Sequence, residues 1–206
     1  MLPTSTKTVE RYTPPHLAER DPAPVFLIRT ASYLERANWR RQVTAAGATF
    51  PGESAFFEAL REGVRLLDPA NKDALIEDID AFEAMPREQR SEDRELAARI
   101  AEVSRHVRTF HGPFAALEGD HQYWMEVAPL IAARLFLLGW ENVDGEFVRK
   151  NGVTTDETLA QLEDDDLRTI GWHAIGLMHV SKAQEKNSES PSLSRSSRGR
   201  SKATNR

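Results

Sequence analysis

The chain has 206 residues, of which 40% are apolar and 29% charged, with 11 Gly, 11 Pro and a formal charge of −5. That length fits one domain, with or without a small appendage, and the lack of cysteine excludes a disulfide scaffold, thiolate metal sites and a Cys nucleophile. The first residues lack a basic stretch followed by an apolar one, so no secretory signal is expected. The longest apolar run, 127–138, contains Pro129 and Arg134 and is too short to span a bilayer.

Charge is unevenly placed. Residues 181–206 hold seven basic and two acidic side chains, +5 in all, which leaves −10 on residues 1–180. This Ser/Arg-rich tail, with Leu193 as its single leucine and no aromatic, buries too little apolar area to offset its ordering entropy and is expected to be disordered. It reads either as a solvated end or as a weak binder of nucleic acid or an anionic surface. Residues 1–24 carry Pro3, Pro14, Pro15, Pro22 and Pro24 and are expected to be irregular, because Pro fixes φ and lacks the amide donor. The folded domain is then expected over 25–180.

Within it, Val25-Phe26-Leu27-Ile28 is a short strand or an extended lead into a helix. Ser32 and Glu35 have the spacing of a capping box, which predicts a helix over 33–46 stopped by Gly47. A second helix is expected over 54–67, with Phe57, Leu60, Val64 and Leu67 on one face. Asp68-Pro69 reads as the N-cap and first position of a third helix ending near 84, before Met85-Pro86. Leu96, Ile100, Val103, Val107 and Phe110 form a two-heptad seam on a fourth helix, closed by His111-Gly112-Pro113.

A fifth helix is expected over 123–138, apolar nearly all round, with Pro129 at its start or as a kink and Gly139 as its stop. The turn dipeptides Asp144-Gly145 and Asn151-Gly152 predict a small hairpin or ordered loop over 140–152. Thr154 and Glu157 again have capping-box spacing, opening a short helix through Leu162. The last helix shows one stripe, Leu167, Ile170, Gly171, Ala174, Leu177 and Met178, behind Asp164, Asp165 and Asp166, which suit its positive end. The fold expected is mainly α: a bundle of about six to seven helices with at most a short strand or hairpin.

No phosphate-binding glycine loop, nucleophile elbow or H-E-x-x-H occurs. His111, Asp120, His121 and Glu126 lack the i, i+3 or i, i+4 spacing that helical metal ligands favour. Acidic pairs such as those in Glu92-Asp93-Arg94-Glu95 read as a salt-bridged solvated face rather than a catalytic dyad. A non-enzymatic protein without metal or cofactor is therefore expected. Trp39, Trp124, Trp140 and Trp172 fit two uses, anchors of the core or part of a face that grips another helix.

The order of features resembles the tail assembly chaperones of long-tailed bacteriophages. The resemblance rests on Pro24-Val25-Phe26-Leu27-Ile28-Arg29 leading into Leu34-Glu35-Arg36, and on the stretch from Ala132-Ala133-Arg134-Leu135-Phe136-Leu137-Leu138-Gly139-Trp140 to Glu141-Asn142-Val143. Phe147-Val148-Arg149, Asp156-Glu157-Thr158-Leu159 and Asp166-Leu167-Arg168-Thr169-Ile170-Gly171 follow, so it covers residues 24–178.

The resemblance implies a helical, non-enzymatic protein of the host-cell cytoplasm. Its partner would be the aggregation-prone tape measure protein, with the tail tube protein a second. It would keep that rod soluble while tube subunits polymerise, and be absent from the finished virion. The family also implies a longer form made by a −1 ribosomal frameshift, which Glu185-Lys186-Asn187 permits through suitable codons. Such a chaperone needs an apolar face for amphipathic helices within a charged, soluble body, and Phe136, Trp140, Phe147 and Trp172 are the residues expected to border it. Two other readings compete. One is a structural or connector protein retained in the virion. The other is a small nucleic-acid-binding regulator, against which the acidic body argues.

Overall fold

The computed structural model describes residues 9–179, so expectations for 180–206 and for the first eight residues lie outside it. Among the described residues the order is β1 (Val9–Tyr12), a 3-10 turn (Pro15–Leu17), β2 (Val25–Arg29), α1 (Tyr33–Ala45), α2 (Glu53–Leu67), α3 (Lys72–Ala84) and α4 (Arg94–Phe110). It continues with α5 (Gly112–Phe136), β3 (Leu137–Glu141), β4 (Arg149–Lys150), β5 (Val153–Thr154), α6 (Asp156–Leu159) and α7 (Asp164–Met178). The mainly-α expectation holds, and no described helix is long and apolar enough to cross a membrane.

The sheet content exceeds what was expected. β2 lies between β1 and β3, antiparallel to both, with Val9 opposite Arg29 and Phe26 opposite Trp140. Its alternation explains why: Phe26 and Ile28 point into the core while Val25, Leu27 and Arg29 stay half-buried. The proline-rich start is therefore not wholly irregular. Val9–Tyr12 forms an edge strand, a position that tolerates nearby prolines, and Leu17 in the 3-10 turn is buried in the core. Arg11 reinforces the edge by a two-pronged pair to Glu141 of β3, at 2.6 and 2.5 Å.

Helix starts follow local chemistry closely. Ser32 and Glu35 form the reciprocal capping box on α1, and the Asp93 side chain accepts from the Leu96 amide at the start of α4. Asp68, expected to begin the third helix, instead ends α2 in the left-handed conformation with φ 45°, and α3 begins at Lys72 behind Asn71. Thr155 rather than Thr154 caps α6, accepting from the Thr158 amide. Asn151 and Gly152, with φ of 53° and 81°, make the tight turn between β4 and β5, where two left-handed residues match the twist of the strands.

The largest departure concerns α5. It begins at Gly112, eleven residues before the expected start, because Pro113 sits in its first turn, where a missing amide goes unnoticed. Pro129 lies inside the helix. The helix stops at Phe136, and Leu137 to Glu141 pair with β2, so Gly139 is a strand residue rather than a helix stop.

Two cores result. One joins the sheet, α1, the second half of α5 and α7, around Phe26, Ile28, Trp39, Phe136, Leu137 and Ile170. The other joins α2, α3, α4 and the first half of α5, around Phe57, Leu60, Val64, Ile79, Ile100 and Phe114. The 25-residue α5, about 37 Å long at 1.5 Å per residue, runs through both. Two glycines permit the closest crossings: a Cβ at Gly63 would overlap the Val107 side chain, and one at Gly171 would overlap the Pro129 backbone.

Candidate partner-binding site

The four aromatics expected on one face do not share one. Phe136 is 1% exposed and lies in the core beneath the Arg29 guanidinium, 5.2 Å from the ring centre. It is a packing residue, because the helix ends there and turns its last side chain inward before the strand. Trp140 on β3 and Phe147 in the following loop are half-buried and meet edge to face at 4.9 Å. Trp172 on α7 belongs to a different cluster, tilted against Trp124 of α5 at 5.5 Å.

That second cluster is the more open site. Phe50, in the loop between α1 and α2, packs edge to face on Trp124 at 4.9 Å and on His121 at 5.6 Å. With Trp172 and Met125 these rings floor a cleft of about 780 Å³, and Arg87 and Arg90 from the α3–α4 connection supply its cationic edge. Tyr123 braces the wall by donating its hydroxyl proton to the Ala46 carbonyl at 2.9 Å, which ties the end of α1 to α5. The Trp39 indole does the same farther along, donating to the Ala128 carbonyl at 3.1 Å.

The two arginines differ in role. Arg90 is nearly buried and donates to the carbonyls of Met85 and Glu83 at 3.0 and 2.9 Å and to Glu53. Its guanidinium also stands over the rings of Phe57 and Phe82, at 5.4 and 5.2 Å. It fixes the connection to α2. Arg87 is 64% exposed and shares the same Glu53, at 3.0 Å. The two guanidinium groups, Arg90 foremost, hold the Glu53 carboxyl below the usual carboxylate range.

A second cavity, about 430 Å³, opens among α2, α3 and α4. It is walled by Val64, Leu67, Leu75, Val103 and Val107, with Arg99, Glu102 and His106 along its lining. Arg99 is committed to Asp78 by bonds of 2.8 and 3.0 Å. Phe110, expected to close the fourth-helix seam, is 71% exposed instead, because α4 runs one turn beyond its last buried residue, Val107.

The histidines do other work. Among the described residues no three His, Asp or Glu side chains gather into a metal-holding group. His111 is buried at the α4–α5 junction, whereas His121 lines the cleft. His173 stacks on Tyr12 at 3.7 Å and meets Glu10 at 2.8 Å, and His16 meets the buried Asp166 at 2.6 Å. Both pairs fasten the N-terminal strand and turn to α7. Asp166 thus has a specific partner, while Asp164 and Asp165 remain exposed in the first helical turn.

Of the residues that line this cleft, sequence reasoning placed Trp172 on a partner face, took Trp124 as either a core anchor or a gripping aromatic, considered His121 only as a metal ligand, and missed Phe50, Arg87, Arg90 and Met125. The available signal was Phe50 itself, an aromatic side chain inside a loop bounded by Gly47 and Pro51-Gly52. Comparison with protein-family models, curated proteins and solved structures gives no match for this chain.

Proposed function

We propose that this chain is a non-enzymatic tail assembly chaperone that binds the tape measure protein and keeps it soluble while tail tube subunits assemble. The observation that carries the reading is the open aromatic cleft of Phe50, Trp124 and Trp172. Rigid aromatic rings in a concave site suit the apolar face of a helix, the form in which a long rod-like client presents itself. The −10 carried by residues 1–180 supports it too, since a charged body keeps a bound apolar client dispersed. The resemblance to this family over residues 24–178 supplies the identity of the client.

The test is coexpression with the tape measure protein of the same genome, followed by pull-down and a solubility assay. Co-purification with rescued solubility is expected. If the client stays equally insoluble with and without this chain, and the chain is instead found in purified virions, the connector-protein reading replaces this one.

A further inference from the structure

The lining of the cleft is chemically one-sided. Phe50, Trp124, Met125 and Trp172 supply apolar area, Arg87, Arg90 and His121 supply nitrogen, and no carboxylate lines it. Glu53 bridges both arginines and offsets one of their two charges; Glu88, Glu92 and Asp93 share their connection but do not line the cleft, so the lining itself stays positive. Over residues 1–180 as a whole the charge is −10, so the carboxylate-free lining departs from the average of the body.

We propose that the cleft selects an amphipathic helix whose apolar stripe is flanked by carboxylates; this deepens, and rests on, the reading that the chain grips a helical client. The aromatic floor takes the stripe, and Arg87, the exposed member of the edge, pairs with an acidic flank. Complementary charge at an interface fixes partner and register more than it adds raw affinity. An acidic helix is repelled by most of this body and accepted here, so it docks in one place. A helix with basic flanks is attracted to many acidic positions and meets like charge in the cleft, so it docks in none of them specifically.

The experiment uses the full chain and two synthetic helical peptides with the same Leu/Phe stripe, one flanked by Glu and one by Lys, titrated by calorimetry and indole fluorescence. The Glu peptide is expected to bind about tenfold more tightly, at the lower edge of what a close interfacial charge pair contributes, as suits the exposed Arg87. Arg87→Glu is expected to reverse the order and Arg87→Gln to bring the two peptides near parity, each with the helical circular dichroism retained. Equal or tighter binding of the Lys peptide by the unaltered chain would overturn the proposal, as would a preference that Arg87→Glu leaves unchanged. If neither peptide binds while the tape measure protein still co-purifies, the acidic-helix specificity fails and the chaperone reading stands. If the Glu peptide binds as expected but the tape measure protein does not co-purify, the cleft chemistry stands and the chaperone reading fails.

Discussion

At the scale of single residues, the packing depends on side chains that are absent. Gly63 lies against Val107 and Gly171 against the Pro129 backbone, so Gly63→Ala and Gly171→Ala are expected to destabilise the fold by about 1–3 kcal/mol each. Gly171 should stand at the upper end, because backbone yields less than a valine rotamer. Gly119, also helical, has open space where its Cβ would lie, so Gly119→Ala should stabilise by roughly 0.5–1 kcal/mol. Urea unfolding of the three variants gives the comparison, and equal effects would contradict the packing described here.

The same scale sets the acid response. A hydrogen bond from Arg29, followed by the Ser32 contacts, holds the Glu35 carboxyl at about 2 against an ordinary 4.5. Arg99 and Arg90 likewise hold Asp78 and Glu53 low. A carboxyl with a depressed folded-state value contributes stability fully present above its unfolded value and lost as pH falls through the folded one. The melting temperature is therefore expected to drop between pH 4.5 and about 2. Glu35→Gln, which has no proton to take up, should be less stable near neutrality and lose less over that window. A variant that tracks the unaltered chain throughout would show that the Arg29 contact contributes nothing.

At the scale of elements, legibility in the sequence followed the range of the interactions. The start of α1, fixed by Ser32 and Glu35 three residues apart, could be read directly; the Asp93 cap of α4 has the same short range but reads in the sequence only as part of an acidic, solvated face. Gly112-Pro113 was ambiguous for a physical reason: the proline that cannot continue α4 is well suited to the first turn of α5. The apolar run Leu135 to Leu138 has no period and reads as the end of the helix, with Gly139 as its stop. Only pairing with Phe26 and Ile28, more than a hundred residues away, makes a strand of its second half. The cleft was legible in part for the same reason. Trp172 and Trp124 stand out by type, but Phe50 and Arg87 join them only through the fold. The key element is α5, shared by both cores. Gly119→Pro would remove the helical hydrogen bond that the Gly119 amide donates to the Ala115 carbonyl, in the stretch of α5 between the two cores, at about 3 kcal/mol or more, and is expected to split one calorimetric transition into two. A single transition merely shifted downward would mean that the cores are coupled by contacts other than the helix.

At the scale of the whole molecule, an acidic body carries one aromatic cleft with a cationic edge, and this pairing of charge and apolar area is what the chaperone reading uses. The Trp140–Phe147 pair is not among the residues that line the cleft, so the two make opposed predictions. Phe50→Ala and Trp172→Ala should reduce client solubilisation severalfold, as truncated interface anchors do. Trp140→Ala with Phe147→Ala should leave it within twofold, provided the fold is retained. The measurement that bears most directly on the central claim is the soluble fraction of the tape measure protein on coexpression with the unaltered chain and with the Phe50→Ala/Trp172→Ala double variant. The account predicts a soluble complex with the first and loss of it with the second. Client solubility unaffected by the double variant, with its fold intact by circular dichroism, would contradict it.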